Sequence, residues 1–188
     1  MHSLAYVKKL VKKKLAEDET RYIHTLGVAK MAKHLALKYN VDVTKAEMAA
    51  YMHDYSKNDP KEFQISLLNK QDQLECEKHP VLYHSYAAAE LYLKHVGVDK
   101  DIYNAIRNHV FGRLGMSKLE EIILISDYTE ENRTYPNCIY CRELVLSGKL
   151  EEAIYESTKR TIEYIKERGL EPHPLQEEVL NYYKELCK

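Results

Sequence analysis

Helix-period spacing of apolar residues extends through almost the whole sequence, and this pattern restricts the fold more than any other feature. The 188 residues include only six glycines and five prolines, so few positions interrupt the pattern. Alternating strands bounded by the turn pairs of β-hairpins are not visible. The sequence therefore predicts an all-α fold, in which residues 1–188 form a single helical bundle.

Charge and composition argue against several classes of partner. The 28 Lys and Arg residues nearly balance the 29 Asp and Glu residues, so no global field favours nucleic acid or a membrane surface. No apolar run approaches the roughly 18 to 20 residues that span a bilayer. The four cysteines have irregular spacing and no secretory leader is apparent, which predicts a cytoplasmic protein. A homodimer is left open.

Two further features have ordinary structural interpretations. The Lys-rich first helix, residues 3–16, is predicted to present a solvated basic face, with an RNA or membrane surface as the alternative. Cys138 and Cys141 form a lone CxxC without a second pair, so we predict structural thiols and no zinc site.

Several predicted helices carry an apolar stripe that ends in a histidine or an aspartate. The stripe over residues 46–50 leads to His53, which Asp54 follows, and the stripe over residues 102–106 leads to His109. The same reasoning places inward-facing ionisable side chains on other helices: His24, His84 and Asp127. Arg21 lies one turn before His24 and is expected to reach the same cavity.

Six such groups in one interior require a cation, because an unpaired buried carboxylate costs several kcal/mol. Imidazole and carboxylate ligands without thiolate suit iron, manganese, cobalt or zinc, and residue type does not separate these metals. The sequence therefore predicts a divalent metal site whose donors come from five helices.

The order of these residues resembles a known signature. His24, then His53 with Asp54, then Asp127 is similar to the H…HD…D pattern of HD-domain metal-dependent phosphohydrolases. More closely, residues 21–29, 53–57, 106–113 and 126–133 resemble the YqeK-type family, whose members are symmetrical bis(5'-nucleosyl)-tetraphosphatases. The similarity covers roughly residues 5–185, and the joint spacing is specific although each fragment alone is not.

The resemblance implies a function and a set of site residues. The activity would be cleavage of a small nucleotide substrate, diadenosine tetraphosphate, into two ADP with the help of a metal, iron by resemblance. The implied metal ligands are His24, His53, Asp54 and Asp127. His84 and His109 would contact the substrate phosphates or a second metal.

Catalytic and substrate-binding roles complete this prediction. Besides ligating the metal, Asp54 or Asp127 would orient water, and Lys57 would neutralise charge on the phosphate. The residues expected to bind substrate are Arg21, Arg113, Arg133 and the connector Gly169, Leu170, Glu171, Pro172, His173 and Pro174.

Two classes of alternative remain. One is another HD-type nucleotide phosphohydrolase, either a nucleotidase or a pyrophosphatase, which would differ in its products. The other is a nucleotide-binding regulator without catalysis, or an RNA-associated module that uses the Lys-rich first helix.

Overall fold

A computed structural model describes residues 2–188, and this part of the chain contains eleven α-helices, one 3₁₀ turn and no strand. In chain order the helices are α1 (Leu4–Lys14), α2 (Glu19–Lys38), α3 (Val43–Met52), α4 (Lys61–Leu67), α5 (Lys70–Lys78), α6 (Tyr83–His95), α7 (Lys100–Arg107), α8 (Lys118–Thr129), α9 (Pro136–Leu146), α10 (Leu150–Glu167) and α11 (Pro174–Leu186), with the 3₁₀ turn Pro80–Leu82 before α6. The predicted all-α fold is confirmed.

Local sequence fixes where the central helices begin. The Asp18 side chain accepts a hydrogen bond from the backbone N–H of Arg21 at the start of α2, and Asp42 caps α3 in the same way. Ser117 and Glu120 form the capping box at the start of α8. Each cap satisfies backbone donors that would otherwise lack partners and contributes about 1 kcal/mol. The three helices that begin here supply most of the interior ionisable residues.

Helix α3 lies at the centre of the bundle. It packs against α1, α2, α6, α7 and α8. Its small residues Ala46, Ala49 and Ala50 are fully buried, and they allow the neighbouring helices to approach closely. The end of α3 therefore lies deep inside the protein.

The second half of the chain differs from the prediction at one break. The sequence pattern from Cys138 to Arg168 predicts a continuous helical stretch, but α9 ends at Leu146 and α10 begins at Leu150. Gly148 lies between them with φ of +97°, a conformation that residues with a Cβ rarely adopt. The chain turns at this glycine, so α10 packs against both α9 and α11. Among the described residues, no helix is long and apolar enough to cross a membrane.

Candidate metal centre

The six ionisable residues that the sequence places on inward faces converge at one point in the bundle. They come from five elements: His24 from α2, His53 and Asp54 from the turn after α3, His84 from α6, His109 from the turn after α7, and Asp127 from α8. His53, Asp54, His84 and His109 are buried, whereas Asp127 retains some exposure. The structure thus brings the predicted residues together, and their roles are taken up below.

A tight turn delivers two consecutive residues to this point. Helix α3 ends at Met52, and the next residues form i→i+3 turns in which Tyr55 N–H donates to the Met52 carbonyl and Lys57 N–H to the Asp54 carbonyl. Adjacent residues in a continuing helix would point about 100° apart. In the turn, Nε2 of His53 lies 3.6 Å from Oδ2 of Asp54. The turn therefore allows both side chains to face the same centre.

Three imidazole rings are each oriented by an oxygen atom close to Nδ1, the ring nitrogen that faces away from the centre. Nδ1 of His53 lies 2.7 Å from the Ala50 carbonyl oxygen, and Nδ1 of His109 lies 2.8 Å from that of Ile106. Nδ1 of His24 lies 3.3 Å from Oε1 of Glu130. A neutral imidazole carries one N–H, which these acceptors draw to Nδ1. The Nε2 lone pair of each ring then faces the centre, as it does in metal-ligating histidines.

Three of the donors are close enough to one another to hold one ion, and Asp54 lies beside them. Nε2 of His24 lies 3.0 Å from Oδ1 of Asp127 and 3.9 Å from Oδ2 of Asp54, and Nε2 of His53 lies 3.9 Å from Oδ1 of Asp127. Donors that bind an ion at about 2.0–2.2 Å can be at most about 4.4 Å apart. Neither Nε2 atom has a hydrogen-bond partner of acceptable geometry, although both are buried. Donors of His24, His53 and Asp127 therefore fit a single divalent cation, and Oδ2 of Asp54 lies beside them, 3.9 Å and 3.6 Å from the two imidazole Nε2 atoms.

The protonation states of Asp54, Asp127 and His109 suit metal binding. Burial alone would lower the pKa of His24, but the neighbouring Asp127 carboxylate raises it above its ordinary value. Burial alone would raise the pKa of both carboxyl groups, but His53 and His84 hold the pKa of Asp54 well below its ordinary value, and His24 and His53 do the same for Asp127. Burial lowers the pKa of His109 to about 3. Near neutral pH the centre therefore offers ionised carboxylates and a neutral imidazole, which are the forms that bind metal.

Asp54 has two faces with different neighbours. Its Oδ2 points to the ion position, whereas its Oδ1 lies 3.2 Å from Nε2 of His84, 3.8 Å from Nε2 of His109 and 3.7 Å from Nζ of Lys57. The Nε2 atoms of His84 and His109 are 3.3 Å apart. This second face can accommodate a phosphate oxygen or another cation.

Two of the three predicted arginines reach the centre. Nη1 of Arg21 lies 2.6 Å from Oδ2 of Asp54, and Nη2 of Arg133 lies 3.1 Å from Oδ1 of Asp127. Arg113 instead forms a bidentate pair with Glu120, at 2.7 Å and 2.6 Å. The structure therefore does not bring Arg113 to the centre, because a buried carboxylate on α8 engages its guanidinium.

The predicted connector, residues 169–174, borders a cleft of about 620 Å³ that is also lined by α10 and by the segment around the 3₁₀ turn. Leu170, Glu171 and His173 line it together with Phe111. Phe111 also lines a smaller cavity of about 70 Å³ that touches His109 and Asp127. The connector therefore lies at the end of a path that leads from the metal centre.

His173 in this connector makes specific contacts. Its Nδ1 accepts a hydrogen bond from the Leu175 backbone N–H, and its Nε2 lies 2.5 Å from Oε1 of Glu75. Its ring centroid is 4.2 Å from that of His79, which precedes the 3₁₀ turn. His79 is half-buried, because this ring contact and one with Phe111 cover it.

Glu130 is a site residue that sequence reasoning missed. It is 1% exposed and supports His24 from behind. A Cβ added at Gly27 would lie 2.1 Å from its Oε2, so the glycine leaves room for this carboxylate. The sequence signal for this residue was Gly27. A glycine inside a helix lowers the stability of the helix by about 1 kcal/mol relative to alanine, and it often marks a position where another group packs close to the backbone.

Comparison with known proteins identifies the family of the chain. A family model described as "HD domain" matches residues 21–132. A Bacillus subtilis (strain 168) protein named "Bis(5'-nucleosyl)-tetraphosphatase, symmetrical" is 40% identical over 162 residues, which cover 85% of this chain and 86% of that protein. A Staphylococcus aureus protein of the same name is 33% identical over 180 residues, or 94% of this chain and 92% of the relative.

A solved structure of an HD superfamily protein also matches this chain. The crystal structure of a "predicted HD superfamily hydrolase involved in NAD metabolism" from Clostridium acetobutylicum matches with a TM-score of 0.86 and 33% identity over 98% of each chain. The fold and the donor set thus define an HD-domain protein of the metal-dependent phosphohydrolase class. Within this class, the chain belongs to the family of the symmetrical bis(5'-nucleosyl)-tetraphosphatases.

Proposed function

We propose that this protein is a metal-dependent hydrolase that cleaves diadenosine tetraphosphate symmetrically into two ADP. The observation that carries the proposal is that donors of His24, His53 and Asp127 lie around one ion-sized point, with no hydrogen bond to either imidazole Nε2. Oδ2 of Asp54 lies 3.6 Å from Nε2 of His53, beside the same point. The substrate follows the names of the relatives, which match over most of the chain.

These four residues would hold the ion, and we propose iron, with manganese, cobalt or zinc as alternatives that the donor set also suits. A divalent ion bound there supplies a Lewis acid for a phosphoryl oxygen and lowers the pKa of coordinated water from about 15.7 towards about 7. Asp54 and Asp127 border the ion position, so their oxygens can accept hydrogen bonds from the attacking water and orient it.

Cationic side chains around the centre stabilise the charge that develops during hydrolysis. Nζ of Lys57 lies on the Oδ1 side of Asp54, whereas Arg21 and Arg133 contact the ligand carboxylates from the other side. Cleavage of the central anhydride joins water oxygen to one phosphorus and releases ADP as the leaving group. The three cations would neutralise the phosphate oxygens of the two halves.

His84 and His109 occupy the second face of Asp54. Nδ1 of His109 is directed at the Ile106 carbonyl oxygen, so in this orientation the neutral ring carries its proton on Nδ1 and a lone pair on Nε2. A lone pair favours a second cation over an unprotonated phosphate oxygen. The metal content of the purified protein distinguishes the two cases, because two ions per chain support the second site and one ion supports a phosphate contact.

The connector Gly169 to Pro174 would contact the nucleoside of one ADP half, because it borders the cleft that leads from the centre.

We also propose a cytoplasmic location. The four unpaired cysteines, Cys76, Cys138, Cys141 and Cys187, suit a reducing compartment.

Product analysis with metal measurement tests the proposal. We expect two ADP from diadenosine tetraphosphate, and we expect Asp54→Ala to lose both metal and activity. AMP with ATP as products would favour a different nucleotide phosphohydrolase. Tight nucleotide binding without turnover under several metals would indicate a regulator. An Asp54→Ala protein that remained metal-replete and fully active would refute the proposed centre.

A further inference from the structure

Two clefts border different residues of the metal centre, and they share no lining residue. The first leads from His109 and Asp127 past Phe111 to the connector. The second has a volume of about 340 Å³, and among its lining residues are His24 and Arg21. A path for an extended molecule therefore exists on each side of the ion position.

A symmetrical substrate requires two such paths. Diadenosine tetraphosphate carries a nucleoside at each end, and cleavage in the middle leaves one ADP on each side of the bond that breaks. If the first cleft takes one nucleoside, the other nucleoside must lie on the opposite side of the centre. The second cleft begins at His24, a proposed metal ligand, so it is adjacent to the bond that breaks.

The inner part of the second cleft has the chemistry of a phosphate channel. Arg21 and Arg133 both line it, and each contacts a ligand carboxylate with one terminal nitrogen, Nη1 for Arg21 and Nη2 for Arg133. A guanidinium has five N–H donors, so both side chains retain donors for phosphate oxygens. Their partial exposure leaves them accessible from the cleft.

The outer part of the same cleft has the chemistry of a base-binding wall. Tyr135 is 71% exposed and Ile23 is 45% exposed, and both line the cleft beyond the arginines. Tyr135 is the residue before Pro136 at the start of α9, so its backbone is held in an extended conformation. An aromatic ring at the end of a cationic channel is suited to stack on a nucleobase.

We propose that this second cleft binds the nucleoside of the other ADP half, with Tyr135 stacking on the base and Ile23 forming the adjacent apolar wall. The inference rests on the proposed function and makes the cleft responsible for selecting dinucleotides over mononucleoside polyphosphates. Tyr135 is then a specificity-determining residue that acts on one end of the substrate.

The test compares two substrates that differ only in the second nucleoside. We expect Tyr135→Ala to lower kcat/KM for diadenosine tetraphosphate about tenfold, mainly through KM, since stacking on an aromatic side chain contributes to the binding of a base. For adenosine 5'-tetraphosphate, measured as a substrate or as a competitive inhibitor, we expect a change of less than about twofold. Tyr135→Phe should keep the wild-type preference, because the ring is retained.

Two further variants make the outcome decisive. Ile23→Ala should also reduce the preference for diadenosine tetraphosphate over adenosine 5'-tetraphosphate, and it provides an independent test of the apolar wall of the cleft. Tyr140→Ala is the matched control, because Tyr140 is an exposed tyrosine on α9 that does not line the cleft. An equal fall for both substrates, or no change for either, in Tyr135→Ala would overturn the inference. Wild-type protein that hydrolyses neither substrate with any metal would instead refute the proposed function.

Discussion

Nδ1 of His24 lies 3.3 Å from Oε1 of Glu130, three residues after Asp127 on the chain. The other carboxylate oxygen, Oε2, accepts hydrogen bonds from the backbone N–H and the side-chain amide of Asn132, both at 2.8 Å. Glu130 is therefore held in place on one side while it orients His24 on the other. Partners of this kind fix the tautomer and direction of a ligating histidine.

Removal of this support should weaken metal binding. We expect Glu130→Ala to reduce metal affinity by about 10–100-fold, the usual effect of losing an outer partner of a ligating histidine. Glu130→Gln should have a smaller effect, because its amide oxygen can still accept from Nδ1. The measurement is metal affinity by competition with a chelator. Glu131→Gln is the control, since Glu131 is an exposed neighbour that pairs with Lys30. Unchanged affinity in Glu130→Ala would show that Glu130 does not position His24.

The space left by Gly27 gives a second, linked prediction. A Cβ at this position would lie 2.1 Å from Oε2 of Glu130, so the carboxylate must move when Gly27 becomes alanine. We expect Gly27→Ala to lower metal affinity to a similar extent as Glu130→Ala. The double variant should lose little more than Glu130→Ala alone, because the displaced carboxylate is then absent. Additive losses in this cycle would mean that the glycine serves another purpose.

Much of the centre could be predicted because it follows helix periodicity. The stripe through residues 46–50 places His53 at the interior end of α3, and the stripe through residues 102–106 does the same for His109 after α7. Both histidines lie just beyond the last residue of their helix, so the period still holds over the short turn. The small residues of α3 let neighbouring helices pack closely around it, so the sequence also indicated that the site lies deep inside the protein.

The features that escaped prediction depend on tertiary contacts. Arg113 could have faced phosphate from its loop, but the loop places it against Glu120. No pattern in the sequence reveals this ion pair in advance, because Arg113 and Glu120 meet only once the loop has folded against α8. Glu130 belongs to no apolar stripe, since it follows the end of α8. Its role becomes visible only when α2 and α8 pack together.

Lys57 should affect turnover more than metal binding. Its Nζ lies 3.7 Å from Oδ1 of Asp54 and 3.1 Å from Nε2 of His84, on the face where a phosphate or second ion would lie. We expect Lys57→Met to reduce kcat about 100-fold, as for the loss of one preorganised charge at the reacting group, while metal stays bound. Steady-state kinetics with metal analysis checks this. Lys61→Met is the control, because Lys61 lies over the ring of Tyr83. A normal kcat in Lys57→Met would remove Lys57 from the catalytic residues.

Arg113 should contribute to stability and not to turnover. Its bidentate partner, Glu120, is 1% exposed and also accepts hydrogen bonds from the Asn108 side chain and the Ser117 backbone N–H. Arg113→Ala leaves this buried carboxylate without its cation, and we expect a loss of about 1–3 kcal/mol in the free energy of unfolding, reduced by the partial exposure of the arginine.

Thermal unfolding and kinetics on the same preparation separate this structural role from substrate binding. For a chain of this length, each kcal/mol lowers Tm by about 2–4 °C, so the change is measurable. We expect kcat/KM of Arg113→Ala to stay within about twofold of wild type, whereas Arg133→Ala, which removes a contact to Asp127, should lower it by at least tenfold. An unchanged Tm with a large loss of kcat/KM in Arg113→Ala would show that the arginine serves substrate binding and not stability, because loss of the Glu120 pair would then have no effect on folding.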